Sequence, residues 1–204
     1  MSMAVTNTQQ GVITEAEFAK VVMLTSDGRL VPARPLADDD RRDFEIHIRR
    51  HFLESLAVQL KTSKVLRPHG RARLLQINFR MAAPLVTDKR LWYFLAHFDV
   101  KAMRFTDPVF LVPSGFFHKH AIHGIGRGKI QMQFKASMEP GSRDMWSQWA
   151  LPQAQLGSRI LEILEELARS AARAQRASDL ISLPGVVWLG QPGLTLSVKR
   201  RRAG

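Results

Sequence analysis

The stretch Asp43–Thr62, DFEIHIRRHFLESLAVQLKT, decides how the chain is read, because it holds two extended segments in succession. In the first, Phe44, Ile46 and Ile48 alternate with Asp43, Glu45, His47 and Arg49, the period-2 pattern of a strand with one buried face. In the second, Val58 and Leu60 alternate with Ala57, Gln59 and Lys61, so Gln59 and Lys61 project from one face. If the two strands are neighbours, Asp43, Gln59 and Lys61 can converge. An acid and an amide oxygen gathered in this way can hold a divalent cation, beside the ammonium group, at a phosphodiester. The opposing reading makes them polar positions on the solvent side of a half-buried hairpin, which strand alternation alone produces.

The chain ahead of this stretch adds a helix. Thr14 stands as an N-cap with Glu17 three residues on, a capping-box spacing, and EAEFAKVVML follows with Phe18, Val21, Val22 and Leu24 on its apolar face. A helix with an acid, a strand with Asp and a strand ending in Gln-x-Lys (VQLKTS, Val58–Ser63) resembles the PD-(D/E)xK nuclease superfamily. That is the restriction-endonuclease-like fold, here in its Gln-x-Lys variant, and the resemblance covers residues 14 to 63. It implies a metal-dependent nuclease hydrolysing DNA phosphodiester bonds, in a mobile-element or defence setting. Asp43, Gln59 and Lys61 would form its centre with Mg²⁺ (or Mn²⁺), and Lys61 would orient water or offset charge on the phosphoryl oxygens.

Gln in place of an acid leaves one fewer negative charge for a cation, so a further acid is expected. The resemblance offers Glu15 or Glu17 on the helix, and Glu45 is the local alternative as a metal ligand beside Asp43 and Gln59. The sequence does not decide among them. One departure stands out: the family places a helix after the Lys-bearing strand, whereas the sequence after Lys61 turns to more strand-like segments. The runner-up is a non-catalytic nucleic-acid-binding or interaction module on the same scaffold, which the Gln exchange favours. A third reading is an assembly protein whose basic strip meets an acidic protein.

The net charge of +12 is concentrated. Residues 61–135 carry 14 Lys and Arg against 3 Asp and Glu, while residues 1–60 carry 7 against 9. The surplus begins at Lys61 and runs through Lys64, Arg67, Arg71, Arg73 and Arg80, which marks these as nucleic-acid contacts, DNA by the resemblance. There is no cysteine, which excludes disulfides, thiolate zinc sites and a Cys nucleophile. No signal peptide and no apolar run of membrane-spanning length is visible, so a cytoplasmic location is expected. A homodimer is the expectation for cutting two strands.

Elsewhere, RLVPAR, RLLQINFR and KIQMQFKAS alternate as strands, and the apolar runs WYFLAHFDV and PVFLVPS read as buried strands. KVLRPHGRA reads as a basic loop broken by Pro68 and Gly70, and HKHAIHGIGRGK as irregular. An amphipathic helix is predicted over Gln153–Ala177, with Leu156, Ile160, Ile163, Leu164, Leu167 and Ala171 on one side. The fold class is therefore α/β or α+β, a mixed central sheet with an N-terminal helix and a long C-terminal amphipathic helix. Residues 1–12 read as a disordered N-terminus, 13–178 as one globular domain, and 179–204 as a hairpin and basic tail.

Other motifs carry less. His47 and His51 have helical zinc spacing, yet Ile48 stands where a metalloprotease places Glu. His118, His120 and His123 form a second cluster, read mainly as surface chemistry. GIGRGK (Gly124–Lys129) lacks the Ser/Thr and following helix of a phosphate-cradling P-loop, and Ser114 lies outside any nucleophile elbow. The aromatic residues Trp92, Tyr93, Phe94, Phe98, Phe105 and Phe110 are assigned to the core, and Trp146 and Trp149 to packing the last helix onto the sheet.

Overall fold

The apolar runs WYFLAHF and PVFLV form two strands buried on both faces, and the rest of the molecule is layered about them. The computed structural model describes residues 6–35, 42–51, 55–70, 72–126 and 128–174, with side chains to residue 170. In chain order the elements are α1 (Asn7–Thr25), β1 (Leu30–Ala33), β2 (Phe44–Ile48), β3 (Ser55–Ser63), β4 (Leu66–His69), β5 (Ala72–Ala82), β6 (Leu91–Asp99), β7 (Arg104–Pro113), α2 (Ser114–Ala121), β8 (Ile122–Gly126), β9 (Lys129–Ser137), β10 (Ala150–Leu151) and α3 (Leu156–Ala174). The class is mixed α+β.

A six-stranded sheet runs β1-β2-β3-β6-β7-β10, and a four-stranded antiparallel sheet runs β4-β5-β9-β8. All pairs in the larger sheet are antiparallel except β3 with β6. Parallel neighbours need a long crossover. Here residues 64–90 supply it, and they carry β4 and β5 of the second sheet rather than a helix. The strand-like run after Lys61 is thus the start of a second layer.

Alternation assigns each side chain to a layer. Leu56, Val58 and Leu60 of β3 and Trp92, Phe94, Ala96 and Phe98 of β6 meet α1 and α3 on one face. Tyr93 and Leu95 of β6, with Phe110 and Val112 of β7, meet Leu75 and Ile77 of β5 and Met132 and Phe134 of β9 on the other. Phe18 links α1 to the sheet, its ring centroid 4.8 Å from Phe94 and 5.3 Å from Phe44. It is fully buried, and truncating such a ring costs about 3–5 kcal/mol. The aromatic core assignments hold for all six residues named from sequence.

Four local readings are corrected. The first helix starts at Asn7, seven residues before Thr14: Thr6 is its N-cap and shares a capping box with Gln9, so residues 7–12, expected to be disordered, are helical. Thr14 is buried in mid-helix, and Glu17 pairs with Lys20 instead of capping. KVLRPHG contains the edge strand β4, where a proline is tolerated because its missing N–H faces away from the ladder. HKHAIHGIG divides into the end of α2 and strand β8. Trp146 packs between the sheets, 4.9 Å from Phe134, not against α3; Trp149 stands 5.9 Å from Trp92. The proposed C-terminal hairpin and tail lie outside the described residues. Among the described residues, no helix is long and apolar enough to cross a membrane.

Candidate functional site

Strands β2 and β3 pair antiparallel with Phe44 opposite Val58 and Glu45 opposite Ala57, so β2 and β3 each turn one polar face away from the helices. Gln59 lies on that face and is only 6% exposed. A buried amide needs a partner. Its Nε2 donates to Asp43 Oδ2 at 3.3 Å, and the Leu60 backbone N–H donates to the same oxygen. The Asp43 N–H in turn donates to the Val58 carbonyl at 3.0 Å, so the carboxylate is held against β3 from two directions. Lys61, two residues beyond Gln59 on the same face, reaches towards β5, with its Nζ 5.5 Å from the Phe79 ring centroid.

A cavity of about 450 Å³ adjoins Gln59 and is also lined by Arg42, Met81, Asp88, Arg90 and Tyr93. Ser55 and Leu91 also line it, whereas neither Asp43 nor Lys61 does. Gln59 is the residue shared by the acid pair and the cavity. Glu45 is engaged by the Arg42 guanidinium, and His47 Nε2 lies 3.8 Å from its carboxylate. Glu15 pairs with Arg34 of the β1 end, on the helix side of the sheet. The Thr62 hydroxyl meets Thr14 at 3.4 Å, so the part of α1 bearing Glu15 and Glu17 crosses the Lys61 end of β3.

A hard divalent cation requires oxygen donors. Asp43 and Glu45 carboxylates and the Gln59 amide oxygen are oxygen donors of the right kind for Mg²⁺, which keeps several waters and takes one or two carboxylates. They are few in number: among the described residues, no group of three His, Asp or Glu gathers at one point. Phosphate and water would therefore complete the shell.

Of the predicted cationic contacts, Lys64, Arg67, Arg73 and Arg80 are exposed, and Arg71 lies outside the described residues. The three histidines of the second cluster are dispersed. His118 is buried in α2, His120 stacks near Phe116, and His123 is exposed on β8. His118 belongs to a network the sequence did not reveal: Nε2 lies 2.8 Å from the Tyr93 hydroxyl and Nδ1 2.8 Å from the Thr87 hydroxyl. Burial holds its imidazole below the ordinary value. Tyr93 is 25 residues away in sequence, so only the fold brings the pair together.

No family model matches the chain, and no curated protein matches it. Among solved structures it is similar to that of a bacterial homing endonuclease, I-Ssp6803I, at 10% identity and a TM-score of 0.47. The match covers 79% of this chain and 97% of that one. No residue assignment passes from one chain to the other.

Proposed function

We propose that this chain is a metal-dependent nuclease acting on DNA, with Asp43, Gln59 and Lys61 at its centre. The observation that supports it best is the Gln59–Asp43 contact at 3.3 Å, with Lys61 following on the same face of β3. Mg²⁺ (or Mn²⁺), held by Asp43, Gln59 and Glu45, would lower the pKa of a bound water and polarise the phosphorus. Asp43 fixes the position of Gln59 and supplies negative charge. Lys61 offsets charge that builds on the phosphoryl oxygens. Glu15, the further acid the family resemblance offers, is paired with Arg34 on the helix side of the sheet, the face opposite Asp43 and Gln59, so Glu45 is the acid this scheme draws on beside them. Lys64, Arg67, Arg71, Arg73 and Arg80 would hold backbone phosphates, giving affinity that falls with salt.

A non-catalytic nucleic-acid-binding module is the second reading. The pairing of Glu45 with Arg42 and the amide at position 59 favour it, since both reduce the charge available to a cation. Nicking of supercoiled plasmid with Mg²⁺ or Mn²⁺ separates the two. Wild type should nick, and Asp43→Ala and Lys61→Ala should each lose at least about 100-fold in rate. Nicking that survives both substitutions removes the assigned centre. Salt-dependent binding without nicking selects the second reading.

A further inference from the structure

The four-stranded sheet buries one face, no described residue covers the other, and that outer face has an unusual composition. On β5 it presents Gln76, Asn78 and Arg80; on β9 it presents Gln131, Gln133 and Lys135. The register pairs them directly: Gln76 with Lys135, Asn78 with Gln133, Arg80 with Gln131. The intervening Leu75, Ile77, Met132 and Phe134 point into the core, so alternation commits these polar residues to the outside. Asn78, Arg80, Gln131 and Lys135 are exposed and Gln76 and Gln133 half-buried. None of the four amides hydrogen-bonds to another described residue. Strands β4, β5, β8 and β9 contain no Asp or Glu.

An ordinary solvated sheet face carries charges of both signs together with Thr and other strand formers. Asn is disfavoured in strands, so setting Asn78 against Gln133 in the middle of the longest strand pair works against strand propensity. The face as a whole is cationic and offers uncommitted donors and acceptors. A concavity of about 340 Å³ lies across it, lined by Asn78, Arg80, His123, Gln131 and Gln133.

We propose that this face reads sequence in the major groove of duplex DNA, with Asn78, Arg80, Gln131 and Gln133 at base edges. This rests on the nuclease reading for its substrate class and deepens it from DNA to a specific DNA sequence. The major groove, about 12 Å wide, admits a two-stranded β-ribbon. Alternate side chains along a strand are about 6.8 Å apart, close to two base-pair steps. Amides pair with adenine through two hydrogen bonds, and Arg pairs likewise with guanine. Lys129 and Lys135 flank the reading residues and face the phosphates. The deep, narrow major groove of A-form RNA does not admit such a sheet. Met81 lines the cavity beside Gln59 while its neighbour Arg80 sits on the reading face, so β5 borders both surfaces.

The test uses the full chain, Ca²⁺ in place of Mg²⁺, and a library of duplexes with a randomised centre. Wild type should enrich one family of sequences. Against a scrambled duplex, Asn78→Ala, Arg80→Ala and Gln133→Ala should each lose about 10- to 100-fold in preference for the enriched duplex, at altered base positions. Thermal melting checks that each variant is folded. Enrichment of no sequence, tighter binding of single strands or RNA, or variants that keep the full preference would overturn the proposal. A chain that enriches a sequence but never nicks with Mg²⁺ or Mn²⁺ leaves this inference standing without the catalytic one. A chain that nicks but enriches nothing does the reverse.

Discussion

Gln59 and Asp43 meet across the β2–β3 pair with the amide Nε2 3.3 Å from the carboxylate Oδ2. This contact makes Gln59→Glu an informative substitution. It removes a donor and sets two carboxylates face to face, so without metal the variant should be about 1 kcal/mol less stable, the usual cost of like charges in a cross-strand pair. A cation held between them would reverse that sign. Millimolar Mg²⁺ should therefore raise the melting temperature of Gln59→Glu more than that of wild type. Equal Mg²⁺ responses in the two proteins would count against a cation at this position.

The His118 network makes a separate prediction. Tyr93→Phe keeps the ring stacked on Phe117, at 4.2 Å, and loses only the hydroxyl, so it should cost about 1 kcal/mol. His118→Ala takes the imidazole from both hydroxyls, leaving Tyr93 its contact with Met81 Sδ at 3.4 Å, and opens space, and should cost about 2–4 kcal/mol. The pH dependence follows from burial, which lowers the folded-state pKa below 6.5. As pH falls below about 6.5 the unfolded chain takes up the proton first, so stability drops until the folded value is passed. His118→Gln should flatten this slope in denaturant titrations at successive pH values. His97, also lowered chiefly by burial, contributes a slope of the same sign that the His118 variant retains. An unchanged slope in the variant would rule His118 out as its source.

What could be read from sequence was whatever period and burial express together. The alternation of β2, β3, β5 and β9, the doubly buried β6 and β7, and the apolar stripe of α3 all follow from single-residue polarity at a fixed repeat. The start of α1 was written in the sequence as Thr6 and Gln9, but the later Thr14–Glu17 pair has the same capping-box spacing, and local spacing cannot choose between two valid signals. Strand β4 was hidden because Pro68 stops a central strand and not an edge one, and edge status is a property of the sheet. Asp43, Gln59 and Lys61 could be named from alternation. Arg42 over Glu45, Arg34 over Glu15 and Tyr93 against His118 could not, since each depends on which element packs where.

Two glycines should respond in opposite directions to alanine. Gly157, at the start of α3, passes so close to the end of α1 that an added Cβ would lie 2.5 Å from the Ser26 backbone nitrogen and 2.6 Å from the Thr25 carbonyl carbon. Its own N–H donates to the Thr25 hydroxyl at 2.8 Å, which fixes the approach. Gly157→Ala should cost about 1–3 kcal/mol because backbone, not a flexible side chain, must shift. Gly11 lies within α1 with nothing inside 4 Å of the corresponding position. Gly11→Ala should stabilise by about 0.5–1 kcal/mol through helix propensity. Urea midpoints of the two variants check the pair, and similar effects from both would mean that the α1–α3 approach is looser than described.

Asp144 should be the most costly surface-loop carboxylate to remove. Its oxygens accept the backbone N–H groups of Ser137 at 2.7 Å, Trp146 at 2.9 Å and Ser147 at 3.0 Å, and the Ser142 hydroxyl at 3.2 Å. Those bonds tie the end of β9 to the turn that delivers Trp146 into the space between the sheets, beside Phe134 and Phe117. Asp144→Ala leaves the Ser137 and Trp146 N–H groups and the Ser142 hydroxyl to find water, while the Ser147 N–H keeps the residue-144 carbonyl, and it frees the loop, a loss of about 2–4 kcal/mol. Asp144→Asn retains one acceptor oxygen and should lose about half as much. Chemical denaturation measures both, and a loosened turn exposes the Trp146 indole to solvent, shifting its share of the emission of the four tryptophans to the red. If Asp144→Ala unfolds at the wild-type midpoint, another contact holds the turn, and the nearest candidate is the packing of Trp146 on Phe134 at 4.9 Å.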